Sequence, residues 1–255
     1  MPHRNAEEVC STGRRGVLAG AGAVALGLAL PGVRGAGAQT PSKSKVGVIG
    51  SGHIGGTVGE LWVKSGHEVL FSSRHPDELK DMVARLGPLA RAGTPEQAFA
   101  FGDTFGDAVL LAIPYKAYPQ FGQEYATALR GKVVLDAGNA TAARDGPLAD
   151  EAKANGIGLT SAKYLPGAKL VRAFNTLNYK VLAEQANRSG DRLAIPIAGD
   201  DQAAVEVAAG LVRDAGFEPV IAGGLAKASE FQMGAPGYGQ NVSAAELRQR
   251  LGLSR

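Results

Sequence analysis

The chain has 255 residues and a formal net charge of only +3 at pH 7, from 27 basic and 24 acidic side chains. Four arginines and two glutamates lie in the first 38 residues, so the remaining body is close to neutral. Such a body argues against nucleic acid as a partner, and we expect none. Cys10 is the only cysteine, which excludes intrachain disulfides, a cysteine-based metal site and a thiol nucleophile in the body, and we predict no metal.

The first 38 residues have the anatomy of an export signal. Arg14 and Arg15 form a positive region, residues 16–30 are an apolar run, and the small residues 35–38 predict cleavage after Ala38. Paired arginines followed by Gly-Val-Leu resemble a twin-arginine signal. The run is shorter than the roughly 20 residues of a membrane helix, so we expect a periplasmic protein without an integral membrane span in the mature chain. An uncleaved membrane anchor or a cytoplasmic protein with a misassigned start is the alternative.

After a polar linker at residues 39–44, strand and helix patterns alternate along the chain. Apolar runs predict strands at residues 45–49, 68–71, 89–92, 108–113, 132–136, 170–174, 193–197 and 218–221. Helical spacing predicts helices at residues 55–65, 76–86, 95–101, 118–129 and 202–215. This alternation predicts an α/β fold with a doubly wound, mostly parallel sheet over residues 45–225. Residues 226–255 are predicted to form a short C-terminal extension, with a helix that begins at the capping box of Ser243 and Glu246.

A glycine loop follows the first strand and opens the first helix. Gly50, Gly52 and Gly55 match G-x-G-x-x-G in the strand–loop–helix context that this motif requires. Gly50 would allow a tight turn, Gly52 would let a pyrophosphate approach the backbone, and Gly55 would let the helix pack closely. We therefore predict a dinucleotide site of the Rossmann type, and the position of His53 in the loop predicts contact with the dinucleotide backbone.

The end of the second strand indicates which dinucleotide binds. An NAD site usually places an acid there, about 20 residues after the glycine loop, to bind the ribose 2′-hydroxyl. Here Ser72, Ser73 and Arg74 occupy that stretch. A carboxylate would repel a 2′-phosphate, whereas a hydroxyl and a guanidinium would bind it. We therefore predict NADP as the cofactor.

The residues after the later strands offer no clear proton donor to a substrate. Ile113 and Pro114 follow the fourth strand, and the neutral residues Asn175, Thr176 and Leu177 follow the sixth. Reduction of a ketone needs a proton donor. Hydride transfer to a flavin-like ring depends mainly on stacking and distance, so these residues favour such an acceptor.

The ordered motifs resemble a known family. The segments VGVIGSGHIG, SSRHP, VLLAIPY, KVVLDAGN and LVRAFNTL resemble NADP-dependent oxidoreductases of the coenzyme F420 type, which move hydride between NADPH and a deazaflavin. They also resemble the nucleotide-binding domain of six-transmembrane ferric reductases. The resemblance implies NADP as cofactor, coenzyme F420 or a flavin as co-substrate, and a small-molecule electron acceptor as the partner. A homodimer is left open.

The same resemblance assigns roles to residues at matching positions. It implies that the loop holds the pyrophosphate, that Ser73 and Arg74 hold the 2′-phosphate, and that Ile113 and Pro114 line the nicotinamide. It further implies that Asn175, Thr176 and Leu177 face the second ring. The loop residues are Gly50, Ser51, Gly52, His53 and Ile54.

Two other functions are compatible with these patterns. One is a non-enzymatic NADP-binding protein, acting as a sensor or a partner subunit that retains the glycine loop. The other is a conventional imine or ketone reductase with a catalytic acid that the motifs do not reveal. An NADPH oxidation assay with deazaflavin, FMN and ferric chelates distinguishes the NADP-linked oxidoreductase from the non-enzymatic protein.

Overall fold

A computed structural model describes residues 43–102 and 107–253. The predicted export signal and all but the last two residues of the predicted linker lie outside the described residues. Within the described ranges, no helix is long and apolar enough to cross a membrane. Those ranges also contain no group of three or more His, Cys, Asp or Glu side chains arranged to hold a metal ion.

Strands and helices alternate along the described chain. The strands are β1 (Lys45–Ile49), β2 (Glu68–Ser72), β3 (Ala90–Gly93), β4 (Ala108–Leu111), β5 (Val133–Asp136), β6 (Lys169–Arg172), β7 (Ala194–Gly199) and β8 (Glu218–Gly223). The helices are α1 (His53–Lys64), α2 (Lys80–Leu86), α3 (Pro95–Phe99), α4 (Tyr118–Glu124), α5 (Ala126–Leu129), α6 (Ala142–Asp145), α7 (Pro147–Asn155), α8 (Ile157–Tyr164), α9 (Tyr179–Gln185), α10 (Gln202–Asp214) and α11 (Ala244–Arg250). Short 3₁₀ segments lie at Pro76–Leu79, Tyr115–Ala117 and Leu225–Phe231.

The strands form one sheet in the order β3-β2-β1-β4-β5-β6-β7-β8. Neighbouring strands are parallel except for β6 and β7, which are antiparallel. The chain moves outward from β1 to β3 and then returns to place β4 on the other side of β1, which creates a switch point at the carboxyl ends of β1 and β4. The predicted α/β fold with a doubly wound, mostly parallel sheet is confirmed.

Helices cover both faces of the sheet, and each face has its own apolar core. Val58 and Trp62 of α1 pack with α10 residues such as Val212 in one core. In addition, the indole nitrogen of Trp62 donates to the carbonyl oxygen of Leu211 at 2.8 Å, which joins α1 to α10. Phe121 of α4 belongs to the core on the opposite face. Two buried faces explain why strands such as β4 are apolar throughout.

Several predicted boundaries differ from the observed ones. Strand β6 ends at Arg172 rather than at residue 174, because Phe174 adopts a left-handed backbone with φ of 59°. The Phe174 ring is nevertheless fully buried, edge-on to Trp62 with 5.8 Å between the ring centroids. The predicted helix at 118–129 is broken at Tyr125 into α4 and α5. Helices α6 to α9 were not predicted from the sequence.

The C-terminal extension is part of the same compact unit as the sheet. Residues 239–242 connect the segment after β6 to the start of β7: the N–H of Gly239 donates to the carbonyl of Thr176 at 3.0 Å, and the N–H of Ala194 donates to the carbonyl of Val242 at 2.9 Å. Leu247 of α11 is fully buried in the core. The helix α11 begins at the predicted capping box of Ser243 and Glu246.

Candidate functional site

The glycine loop has the geometry that its sequence predicts. Gly50 adopts φ of +93°, and a Cβ placed there would lie 2.6 Å from the carbonyl oxygen of Ala112, which follows β4. A Cβ on Gly55 would collide with the carbonyl oxygen of Gly50. Both positions therefore require glycine, the first for the turn at the switch point and the second for the close approach of α1.

Gly52 differs, because a Cβ built there would meet no atom within 4 Å. Its φ of −77° lies outside the left-handed region that favours glycine, so a positive φ does not account for the glycine. Gly52 lines a cleft and precedes α1, whose first turn has neither a side-chain cap nor an acidic residue. Unpaired N–H groups at a helix start bind anions, so this open space fits a pyrophosphate.

The end of β2 carries hydroxyls and a cation but no acid. The Ser51 hydroxyl donates to the carbonyl of Ser72 at 3.0 Å, which ties the glycine loop to β2. The Ser73 hydroxyl accepts from the backbone N–H of His75 at 3.0 Å. Arg74 is exposed and makes no ion pair or side-chain hydrogen bond with any described residue. Its guanidinium is therefore available to a ligand.

A cleft of about 650 Å³ runs between the carboxyl ends of β1, β2 and β4, and its size suits a cofactor. Its wall includes the predicted residues Gly50, Ser51, Gly52, Ser73, Arg74, Ile113 and Pro114. Of the other predicted loop residues, His53, Ile54 and Gly55 are not part of the wall. The opposite wall comes from residues that the sequence did not single out, namely Lys116, Gln120, Phe121, Glu124 and Tyr125. Their position in the sequence after β4, at the switch point, could have indicated that they line the cleft.

His53, at the start of α1, has an aromatic partner. Its ring stacks on Tyr179, the first residue of α9, with centroids 4.2 Å apart and 9° between the planes. The contact holds the loop after β6 against the start of α1. The predicted contact of His53 with the dinucleotide stays a prediction.

The three residues predicted to face the acceptor are covered by protein. Asn175, Thr176 and Leu177 are only 2%, 2% and 8% exposed, and none of them lines the 650 Å³ cleft. The Asn175 side-chain amide donates to the carbonyl of Phe231 at 3.3 Å, and Leu177 packs in the apolar core. The sequence did not reveal this cover because it comes from the C-terminal extension. Their role toward the acceptor stays a prediction.

A buried ionic network joins β5 to β6 beside the site. Asp136 and Arg172 are both fully buried and lie 2.6 Å apart. The same carboxylate accepts from the Tyr118 hydroxyl at 2.6 Å and from the N–H of Gly138 at 2.9 Å, while Arg172 donates to the carbonyl of Gly138 at 2.6 Å. Burial and the nearby Asp136 charge raise the pKa of Tyr118 well above its ordinary value. This phenol is therefore a structural hydrogen-bond donor rather than an acid for catalysis.

A second buried carboxylate fixes the cleft wall after β4. Asp145 accepts from the backbone N–H of Lys116 at 2.9 Å and from that of Thr141 at 2.7 Å, and it forms an ion pair with Arg144 at 2.9 Å. Burial alone would raise the pKa of Asp145, but these donors outweigh it and hold the pKa below its ordinary value of 3.8. The network ties the segment after β4 to α6.

Replacing Asp145 with asparagine is expected to destabilise the protein at neutral pH by about 1–3 kcal/mol, because charged hydrogen bonds are lost. The folded pKa lies below the unfolded one, so the carboxylate stabilises the fold above the unfolded pKa. That contribution disappears as pH falls through the folded pKa. Urea unfolding at pH 7 and at a series of lower pH values should therefore give a difference from wild type that is largest at neutral pH and shrinks as the pH falls through the folded pKa. Asp191→Asn, at an exposed loop, is the control, and a difference independent of pH would contradict the account.

Residues 45–140 match the family described as NADP oxidoreductase, coenzyme F420-dependent. The family resemblance is confirmed. It covers β1 to β5, and therefore the glycine loop, the end of β2 and both walls of the cleft. The similarity to this NADP-dependent oxidoreductase family therefore lies in the segment that builds the cleft.

Individual relatives extend the similarity beyond this segment. The chain is 27% identical over 200 residues to the metalloreductase STEAP3 of Rattus norvegicus, a match that covers 76% of this chain and 37% of the relative. The chain therefore corresponds to little more than a third of that relative's length. A solved structure of the hypothetical protein SMa0349 from Sinorhizobium meliloti is 26% identical, with a TM-score of 0.64, covering 80% of this chain and 97% of that one.

A further structure shares the fold at lower identity. It is described as an F420-dependent NADP reductase from Arthrobacter sp. FB24 and is 22% identical, with a TM-score of 0.60. The alignment covers 73% of this chain and 87% of that chain. At this identity the likeness supports the fold alone.

Proposed function

We propose that the protein is an NADP(H)-dependent oxidoreductase that transfers hydride between NADPH and a deazaflavin or flavin-like acceptor. The observation that carries the nucleotide assignment is the single cleft that joins the open backbone at Gly52 to Ser73 and Arg74 on one side and to Ile113 and Pro114 on the other. NADPH supplies the hydride when bound. The chain's own residues hold the phosphates, position the nicotinamide end and exclude water.

The choice of acceptor is supported by the phenols and amides after β4 and β6, which offer no free acid, although the Lys116 ammonium also lines the cleft. The phenol of Tyr118 is engaged by Asp136, and that of Tyr115 lies 3.1 Å from the Ser161 hydroxyl in the interior. Asn175 and Thr176 are neutral. For a planar ring acceptor, the protein need only stack the ring at a suitable distance from the nicotinamide, and the proton can come from solvent. The names of the F420-dependent family and of the metalloreductase relative are compatible with this proposal.

Anaerobic mixing of the full chain with NADPH and a panel of acceptors tests this proposal. The panel is coenzyme F420, FMN, a ferric chelate, a ketone and a cyclic imine. We expect rapid NADPH oxidation with F420 or FMN and negligible turnover of the ketone and the imine. Turnover of only the imine or the ketone would favour a conventional reductase. Tight NADPH binding without oxidation by any acceptor would favour a sensor or partner subunit.

We also propose that the protein is exported in folded form through its twin-arginine-like segment. Arg14 and Arg15 support this proposal, and export of the folded protein would allow the nucleotide to be loaded beforehand. Cell fractionation of wild type and of a variant with both arginines replaced by lysine tests it. Equal distribution of the two proteins would reject it.

Replacing Arg74 with alanine is expected to weaken NADP binding and leave NAD binding nearly unchanged. A charge-assisted contact to the 2′-phosphate contributes about 1.5–3 kcal/mol, so the loss should be roughly tenfold to hundredfold. Titration of both nucleotides by calorimetry measures the change. Arg85→Ala is the control, because Arg85 is also exposed but pairs with Glu60 away from the cleft. Equal losses for NADP and NAD would contradict the assignment of Arg74.

A further inference from the structure

A second cation lines the same cleft as Arg74. Lys116 lies in the 3₁₀ segment Tyr115–Ala117, and it lines the cleft on the same wall as Gln120 and Glu124 of α4. Among the described residues, neither the Lys116 ammonium nor the Arg74 guanidinium forms an ion pair or a side-chain hydrogen bond. The two cations come from opposite sides of the cleft, Arg74 from the end of β2 and Lys116 from the segment after β4. Their charges therefore remain available to an anion in the cleft.

The backbone of Lys116 is held in place by buried neighbours on both sides. Its N–H donates to the Asp145 carboxylate at 2.9 Å. Tyr115 is fully buried, and its ring packs on Tyr118 with 4.4 Å between the centroids. These anchors involve the backbone of Lys116 and its neighbours, so its side chain is not needed to hold the turn. A long cationic side chain on a fixed turn at a cleft wall is suited to binding a ligand.

The charges around the cleft explain why one cation would be insufficient. Glu78 and Glu124 also line it, so Arg74 alone would leave the wall with a net charge of −1. A phosphate monoester such as the 2′-phosphate of NADP carries about −1.5 to −2 charges at pH 7. Adding Lys116 brings the four charged side chains of the wall to neutrality. A second cation therefore offsets the repulsion that the two carboxylates would exert on a dianion.

We propose that Lys116 is a second specificity-determining residue, which together with Arg74 selects the 2′-phosphate of NADP over the free hydroxyl of NAD. This inference rests on the proposed nucleotide site. Sequence patterns place the choice between NAD and NADP at the end of β2. Lys116 adds a residue from a different segment, the one after β4. With both cations removed, Glu78 and Glu124 would remain, and the cleft should no longer prefer NADP.

Calorimetry with 2′,5′-ADP and 5′-ADP on the full chain tests the proposal without any activity measurement. Lys116→Met should lose roughly tenfold to hundredfold in affinity for 2′,5′-ADP and little for 5′-ADP. Lys116→Arg should restore most of the preference, since it keeps the charge. Lys80→Met is the matched control, because it removes an exposed lysine of α2 that does not line the cleft and pairs with Asp77 at 2.7 Å. Thermal unfolding of each variant verifies that the fold is intact.

Two other results for Lys116→Met would contradict the role of Lys116, and one result for the wild type would contradict NADP binding. Equal losses for the two ligands in Lys116→Met would place Lys116 at a group that they share, and no loss would remove it from the site. Either result overturns the inference and leaves the proposed nucleotide site standing. A wild-type protein that does not prefer 2′,5′-ADP over 5′-ADP would instead refute NADP as the cofactor.

Discussion

Replacing Gly52 with valine is expected to abolish NADPH binding and leave the fold intact. A Cβ at this position meets no protein atom within 4 Å and φ is negative, so we expect the folded chain to tolerate the side chain. The new side chain would occupy the space next to the uncapped start of α1, where the pyrophosphate is expected. Loss of several charge-assisted contacts of about 1.5–3 kcal/mol each should weaken binding by roughly a hundredfold or more.

The measurement is a titration of NADPH together with a thermal unfolding curve. Gly210→Val is the matched control, since a Cβ on Gly210 of α10 also meets open space but lies outside the cleft. Both variants should unfold near the wild-type temperature, and only Gly52→Val should lose the nucleotide. Normal NADPH binding by Gly52→Val would place the phosphates elsewhere.

Among the substitutions considered, replacing Arg172 with methionine is expected to produce the largest decrease in the free energy of unfolding. The change leaves the Asp136 carboxylate fully buried without its ion partner, 2.6 Å away in the wild type. Breaking a buried pair by removing one partner costs about 3–5 kcal/mol. The Tyr118 hydroxyl and the Gly138 N–H still donate to Asp136, so the loss should remain within that range.

Urea unfolding measures this loss against two comparisons. Lys163→Met breaks an exposed, solvent-screened pair with Glu151 and should cost far less than Arg172→Met. The double variant Asp136→Asn with Arg172→Met removes both charges and should recover part of the stability. A cost below about 1 kcal/mol for Arg172→Met alone would show that the buried pair is not needed to hold β5 and β6 together.

The parts of the site that could be predicted from sequence depend on short-range rules. Gly50 and Gly55 are required by contacts within one strand–loop–helix unit, so their spacing already predicts their geometry. The absence of an acid at the end of β2 is likewise evident from adjacent residues, Ser72 and Ser73. All eight strands were predicted, and central ones such as β4 are compact apolar runs that are buried on both faces.

The parts that could not be predicted depend on contacts between distant segments. Lys116 reaches the cleft wall only because β4 lies beside β1 and because Asp145, 29 residues further on, holds its backbone. Phe231 and Gly239 of the C-terminal extension cover Asn175 and Thr176 through hydrogen bonds from residues more than 50 positions away. Phe174 ends β6 early by adopting a positive φ, which no periodic pattern of apolar residues indicates.

Single-turnover mixing of the full chain, NADPH and oxidised coenzyme F420 in the absence of oxygen tests the central claim most directly. The nicotinamide absorbance and the deazaflavin absorbance should fall together with equal stoichiometry, and deuterium at C4 of NADPH should appear on the reduced deazaflavin. The same experiment with FMN in place of F420 shows which of the two rings accepts the hydride faster. If NADPH binds but neither ring acquires the label, while a ketone or an imine is reduced rapidly, hydride transfer to a flavin-like acceptor is contradicted.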